Sequence, residues 1–442
     1  MKTINLISFG CPKNLVDSET ILGLLATNGY AFIADHRKAD ILILNTCGFL
    51  KTARNEAYSV IKRISITKSA NQKLVICGCL PQFEKDLLLA KFPKIDALLG
   101  SSDFPLISKI LDRLVLPGCA GHKLVHISKP NFLISNEPKI LSTPRSYAYI
   151  KIADGCNNRC AYCLIPYLRG AYRSRQIQDI FSDVKAVAET GRKEVILVAQ
   201  DTTLYGIDIY GKPALPKLLT KLSTIRGIKW IRLLYTHPAH FSDELINTIA
   251  GSQKIAKYID MPIQHTVDTV LKTMGRPASK SIFETIEKLR KNVPVIALRT
   301  TVMVGYPGET DRCFKQLLND IRQIQFDWLG AFIYSSEKGT KAYKLKGAIP
   351  VRIQKQRLAE LMKIQQKITF DKNQALVGRR LEVLADNPKF GHIETQAPEI
   401  DGKVAFYKPQ KEGALIKAKI TAVKRVYDLE AFNDSKWEVG SS

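Results

Sequence analysis

The chain has 442 residues and an apolar fraction of 45%, which suits two or three folded domains and excludes a disordered chain. Its net charge of +25 attracts polyanions, so RNA or a ribosome is the first candidate partner. No apolar run approaches the ~18–20 residues that span a bilayer, and MKTINLISFGC is too weakly apolar for an export signal; the nine cysteines are therefore expected to be reduced cytoplasmic thiols serving metal or catalysis.

The first stretch alternates short apolar runs with amphipathic ones. INLISFG (4–10), ADILILNT (39–46), KLVICG (73–78) and DALLG (96–100) read as buried parallel strands. SETILGLLATNGY (18–30), TARNEAYSVIKRI (52–64) and EKDLLLAKF (84–92) carry helical spacing. The pattern predicts an open parallel-sheet α/β domain over 1–117, then a linker with some extended structure over 118–141.

A second alternating series begins near Ser146, and it places a domain over 142–372. Its strands are AYIKIAD (148–154), EVILVAQD (194–201), KWIRLLYTHP (229–238), YIDMPIQ (258–264), ALRTTVMVG (297–305) and WLGAFIYS (328–335). Helical segments lie between them, and a charged helix over 352–376 closes the series. Six such units predict a partial TIM-like (β/α) barrel with its site at the carboxyl ends of the strands. RRLEVLAD (379–386), KVAFYKP (403–409) and LIKAKITAVKRV (415–426) then predict a small C-terminal β-barrel over 373–442.

ADGCNNRCAYCLIP (153–166) sets Cys156, Cys160 and Cys163 at CxxxCxxC spacing, directly after the first strand of the second series. Thiolates suit zinc or iron–sulfur clusters. A closed site wants four protein ligands, and no fourth cysteine or histidine lies nearby. Three thiolates leave one iron open to chelation by a small molecule; the alternative is three buried or zinc-bound thiols.

Cys11, Cys47 and Cys79 obey no spacing rule, yet each directly follows a predicted parallel strand. Carboxyl ends of adjacent parallel strands converge on one crevice. Gly10, Gly48 and Gly78 beside them allow close backbone approach to a bulky group. The alternative is three independent strand-end cysteines. Cys77 lies inside the apolar run, where cysteine serves as a small hydrophobe. Cys119 and Cys313 have no evident partners.

The CxxxCxxC loop, with Tyr162 before its last cysteine, resembles the signature of the radical S-adenosylmethionine superfamily. That resemblance implies a cluster that reduces the sulfonium, giving methionine and a 5′-deoxyadenosyl radical. It also implies cofactor contacts. Val304 and Gly305 lie in VMVGYPGE (302–309), which resembles the motif against adenine. Gln200 and Asp201 end strand two, where the methionine amino group binds; Asp260 and Gln264 end strand four. Each of these polar residues is alternatively a loop cap.

CPKNLVDSE (11–19), NTCGF, GCLP, YIDMPIQH, GYPGE and YSSEKGT follow in the order of the methylthiotransferases, which the whole chain resembles. The terminal barrel, with APEIDGKV (397–404), resembles their TRAM domain. The resemblance implies two 4Fe-4S clusters and S-adenosyl-L-methionine. One S-adenosylmethionine supplies a methyl group to sulfur on the N-terminal cluster, and a second supplies the radical. CPKNLVDSE, VAQDTTLYG (198–206), FDWLGAFIYSSEKGT and APEIDG resemble the RimO branch, which modifies the β-carbon of an aspartate in ribosomal protein S twelve of the small subunit. Thr236–His237–Pro238 is nearer the MiaB branch, which modifies a tRNA adenosine, and Gln176 and GHIETQ also depart from the RimO pattern. A non-catalytic iron–sulfur protein that binds ribosomes is the third alternative. TRAM modules bind RNA, so RNA contact through the terminal barrel is expected. His237 and His265 stand as acid–base candidates or strand-end packing, and Arg173 and Arg175 as cofactor or substrate contacts or solvated loop residues.

Overall fold

Residues 1–116 and 123–432 are described by the structure, a computed structural model. Strands β1 (Thr3–Ser8), β2 (Ala31–Phe32), β3 (Ile41–Thr46), β4 (Lys73–Gly78), β5 (Ala97–Leu99) and β6 (Leu124–His126) form one parallel sheet in the order β2-β1-β3-β4-β5-β6. β3 and β4 are buried on both faces, which is why they read as continuous apolar runs. Helices Pro12–Thr27 and Ile107–Val115 cover one face, and Lys51–Thr67 and Cys79–Lys91 the other.

The sheet continues past residue 117, because the β6 backbone pairs with β5 inside the segment expected to be a linker. The rest of that segment is a strap. Ile134 is buried in the core, and the chain at Pro138 passes so close to Gly23 that a Cβ there would lie 2.0 Å from the Pro138 carbonyl oxygen. Cys119 lies outside the described residues.

The central domain contains β7 (Tyr147–Lys151), β8 (Ala153–Asp154), β9 (Arg173–Ser174), β10 (Glu194–Val198), β11 (Trp230–Leu233), β12 (Ile255–Asp260), β13 (Ala297–Val304) and β14 (Trp328–Ile333). β7 and β10 to β14 make an open six-stranded parallel sheet in that order, while β8 and β9 pair antiparallel and clamp the cysteine loop between them. Side chains alternate along these strands. Val195, Leu197, Ile231 and Leu233 pack outward with the helices. Tyr147, Tyr149, Trp230 and Tyr258 point inward, and their core also includes residues of the N-terminal sheet and the terminal barrel.

After helix Val351–Gln374 comes a closed barrel of β15 (Arg380–Ala385), β16 (Phe390–Ile393), β17 (Val404–Phe406), β18 (Leu415–Lys424) and β19 (Asp428–Phe432). Strands β16 and β19 add to the three strands legible in the sequence. The chain from β16 to Asp401 enters the open sheet from the end where its strands begin. His392 Nε2 lies 2.5 Å from Glu194, the first residue of β10, and its Nδ1 is 2.9 Å from Asp386. Glu194 also pairs with Arg232 at 2.6 Å, and Arg232 donates to the Glu394 carbonyl at 2.6 Å. Deeper in, Tyr258 donates to Asp401 at 2.7 Å, and Arg299 lies 3.3 Å from the same carboxylate. The terminal barrel thus plugs the amino end of the central sheet, and the N-terminal domain covers its carboxyl end. No helix among the described residues is long and apolar enough to cross a membrane.

Candidate functional site

β1, β3 and β4 are neighbours, and Cys11, Cys47 and Cys79 stand just beyond their carboxyl ends. Thr46 pairs with Gly78, so Cys47 and Cys79 leave the sheet level with one another. Cys11 caps helix Pro12–Thr27, and Cys79 opens helix Cys79–Lys91. The backbones approach closely here. A Cβ on Gly10 would lie 3.3 Å from Cys47 Sγ, and one on Gly48 would lie 2.4 Å from the Cys79 carbonyl oxygen. Burial, then the nearby thiols of Cys79 and Cys11, pushes the Cys47 thiol up to about 12. At neutral pH such thiols keep their protons until a metal displaces them. Cys77 is buried in the core instead.

The second triad lies on the loop between β8 and the short helix Ile165–Arg169. Cys156, Cys160 and Cys163 act on one another electrostatically, and burial pushes Cys156 to about 11 and Cys163 to about 12. Backbone bonds hold the loop: Cys156 N–H donates to Gly170 O at 3.1 Å, and Ala161 N–H donates to Met274 O at 2.8 Å. Arg276 reaches within 3.9 Å of Cys160 Sγ and donates to the Pro262 carbonyl. Tyr162 packs with Ala161, Val270, Met274 and Tyr306. Its hydroxyl stays protonated through burial, with Cys160 as a hydrogen-bond partner.

Arg169 ties the N-terminal triad to the elements that flank the CxxxCxxC loop. Its Nε donates to Cys79 Sγ at 3.2 Å, its Nη1 lies 2.6 Å from Asp17 and 3.4 Å from Asp154, and its Nη2 donates to Asn14 at 3.2 Å. Lys151 pairs with the same two carboxylates. Cys79 also packs with Leu164, which directly follows Cys163, and with Leu168 in the short helix after it. From the other side of the interface, Arg54 donates to the Gly48 carbonyl at 3.1 Å and to Glu337 at 2.6 Å, fixing the loop after Cys47 to the segment beyond β14.

At the ends of β10, β12 and β13 the expected cofactor residues divide. Gln200 donates to Asp154 at 2.8 Å, but its carbonyl oxygen is buried with no hydrogen-bond partner. Asp201 accepts from Asn158 at 2.8 Å and Thr203 at 2.6 Å and lies 2.9 Å from His240 Nδ1, so its oxygens are occupied. Asp260 is held by Arg299 at 2.8 Å and by the Tyr235 N–H at 3.0 Å. Gln264 has φ 70° and bridges to Val302. Val304 turns its side chain into the outer core, and the Gly305 backbone is engaged, its N–H donating to Glu309 and its carbonyl accepting from Gln354.

The histidines and loop arginines make local hydrogen bonds. Burial pushes His237 and His265 down to about 3, so both are neutral at pH 7. Each accepts a backbone N–H at Nδ1, from Ala239 and Val267 respectively. Asp201, His237 and His240 group their ligand atoms within 4.8 Å, with Asp201 2.9 Å from His240 Nδ1 and His237 Nδ1 accepting from the Ala239 N–H. Arg173 donates to the Pro130 and Phe132 carbonyls, and Arg175 to that of Ser135, so both brace the strap.

Sequence reasoning missed Arg169, Arg276 and Lys13. The ammonium of Lys13 lies over the Tyr235 ring, 3.2 Å from its centroid, and burial lowers its pKa. Tyr235 itself has φ 60°, a conformation held against intrinsic preference of about 1–3 kcal/mol. Lys13 sits inside the CPKN motif and was legible as a charge beside a candidate ligand cysteine. Arg169 had no signal in spacing.

The chain matches three family models: the uncharacterized protein family UPF0004 over residues 3–100, the radical SAM superfamily over 150–321 and the TRAM domain over 377–432. Among curated relatives, a protein of Acetivibrio thermocellus named ribosomal protein uS12 methylthiotransferase RimO is 41% identical, covering 98% of this chain and 99% of its own. A relative of the same name from Clostridioides difficile is 43% identical over 91% and 92%. Among solved structures, the radical S-adenosylmethionine methyltransferase TsrM of Kitasatospora setae, at 13% identity, superposes with a TM-score of 0.58 over 92% of this chain and 80% of its own, a likeness of fold.

Proposed function

The chain belongs to the radical S-adenosylmethionine methylthiotransferases of the RimO family, and from that premise we propose that it adds a methylthio group to the β-carbon of an aspartate in ribosomal protein uS12. What supports this reading is that Arg169, on the short helix after Cys163, donates to Cys79 Sγ and pairs with Asp17 and Asp154, so the loops that carry the two thiol triads are joined through one side chain. One triad follows the strands of the N-terminal sheet, and the other follows the first strand of the central sheet.

The residues present fit the groups the family implies. Each triad offers three soft donors, and the glycines beside the first let the backbones that carry it pack closer than a side chain would allow. The buried, unpartnered oxygen of Gln200 suits the methionine ammonium of S-adenosylmethionine better than the fully occupied Asp201. We assign one four-iron cluster to each triad. When bound, the cofactors supply a carbon-centred radical on one side and transferable sulfur on the other. The chain's own part is to position them. Arg169 and Arg276 donate toward thiolates, β8 and β9 clamp the cysteine loop, and the plug behind excludes water from the amino end of the sheet. Exposed Lys408, Lys411, Lys417, Lys419 and Tyr407 on the terminal barrel support contact with ribosomal RNA.

Anaerobically reconstituted protein tests the assignment, given S-adenosylmethionine, a reductant and sulfide with either a uS12 peptide or tRNA. The expected result is one methylthio group on the peptide and none on the tRNA. Modified tRNA with an untouched peptide overturns the substrate, and absence of deoxyadenosine overturns the chemistry. Iron near eight per chain, falling to about four in Cys156/Cys160/Cys163→Ala, supports two clusters. About four falling to none refutes the N-terminal one.

A further inference from the structure

We propose that Lys13 is the specificity-determining counter-charge for the substrate's carboxylate, an inference that rests on the aspartate-modifying reading above. Lys13 is 8% exposed, two residues beyond Cys11 and inside the first turn of helix Pro12–Thr27. Its ammonium lies 3.2 Å from the centroid of Tyr235, just beyond the carboxyl end of β11. It therefore stands between the N-terminal triad and the mouth of the central sheet, where a substrate side chain has to enter to meet both.

The surrounding carboxylates are committed elsewhere. Asp260 is held by Arg299 at 2.8 Å and by the Tyr235 N–H at 3.0 Å. Asp17 is taken by Arg169 at 2.6 Å and by Lys151, and Asp154 by the same two cations at 3.4 Å and 3.2 Å. Among the described residues Lys13 is left with an aromatic face and no acid of its own. An aromatic face replaces only part of the hydration that a buried ammonium gives up. An entering carboxylate supplies the missing partner, whereas an amide or a neutral base supplies no charge. Discrimination then comes from leaving Lys13 unpaired with the wrong substrate.

The rival role is balancing the Cys11 thiolate, and one experiment separates them. Reconstituted wild type, Lys13→Met and Lys13→Arg are compared for iron content and for calorimetric affinity toward two uS12 peptides. One peptide carries the target aspartate, and the other carries asparagine at that position. Methionine keeps the apolar stem without the charge. The expected result is wild-type iron in Lys13→Met, with the preference for aspartate over asparagine reduced about ten- to hundredfold and partly restored in Lys13→Arg. An unchanged preference in Lys13→Met overturns the proposal. So does loss of iron with the preference retained, which assigns Lys13 to the thiolate. A wild type that modifies tRNA and leaves the aspartate peptide untouched overturns the substrate reading, and this inference with it.

Discussion

Arg169→Met separates the two triads with the least change of volume. The guanidinium is 3% exposed, and it serves Cys79 Sγ at 3.2 Å, Asp17 at 2.6 Å, Asp154 at 3.4 Å and Asn14 at 3.2 Å. Methionine leaves Asp17 and Asp154 facing the single ammonium of Lys151. Removing one member of a buried ionic group destabilises by about 3–5 kcal/mol. The lost donor to Cys79 is a charge-assisted bond of roughly 1.5–3 kcal/mol, and the two effects overlap because they share one side chain. A net loss near 4 kcal/mol lowers the unfolding midpoint of a domain this size by roughly 8–16 °C. The assay is anaerobic thermal unfolding of metal-free and reconstituted protein, with iron counted per chain. Arg169→Met is expected to fall by that amount even without metal and to retain less iron. Arg169→Lys keeps charge near the carboxylates but loses the planar fork, so it recovers stability more than iron. A metal-free midpoint within about 2 °C of wild type, with iron intact, would show that Lys151 alone balances both acids and that Arg169 does not join the sites.

Three further perturbations test other parts of the structure. Burial opposes the charge on His392, yet Glu194 and Asp386 outweigh it and hold the ring up at about 9; because this lies above the ordinary 6.5, the stabilisation is complete below pH 6.5 and is lost as pH rises toward 9, by up to about 3 kcal/mol. Unfolding free energies across that window should fall in wild type and stay flat in His392→Gln, and equal slopes would refute the plug's charge state. Gly48→Ala brings a Cβ to 2.4 Å from the Cys79 carbonyl oxygen, against backbone that has to move, so iron on the N-terminal triad should drop while that on the CxxxCxxC loop remains. Cys77→Ala should leave iron unchanged, since Cys77 is core packing, whereas Cys79→Ala should lower it.

What the sequence disclosed follows from the range of the forces involved. The CxxxCxxC loop is local chemistry on a local turn, so spacing reveals it. Cys11, Cys47 and Cys79 were legible because parallel strands β1, β3 and β4 deliver their ends to one edge, a rule of topology rather than of neighbouring residues. β6 was hidden by its brevity: three residues with little burial carry almost no periodic pattern, and only pairing with β5 makes them a strand. Arg169 lay beyond reach for a different reason. Its partners Asp17 and Cys79 are 152 and 90 residues away, and nothing along the chain marks a guanidinium that a distant thiol will use. Arg173 and Arg175 show the same limit in reverse, since their role depends on where the strap lies.

The segment GHIETQAPEIDG shows how a departure from a family pattern can be structural. In the sequence its first half, GHIETQ, stood out as atypical, whereas APEIDG matched the family's terminal barrel. In the fold it enters the central sheet, where His392, Glu394 and Asp401 meet Glu194, Arg232 and Arg299. Those three inward residues carry charge inside an open sheet, an arrangement that is unfavourable unless something supplies partners. Glu194 and Arg232 satisfy one another at 2.6 Å, and the plug completes the set by adding His392 to the acid and the Glu394 carbonyl to the arginine. Asp401 then links the plug to the site, because Arg299 holds it at 3.3 Å and holds Asp260 at 2.8 Å, next to the crevice under Tyr235. The terminal barrel is therefore part of the central domain's interior as well as the proposed surface for RNA. Its removal would expose that charged interior to water at the amino end, so truncation should impair the folding of the central sheet before it impairs any contact with a ribosome.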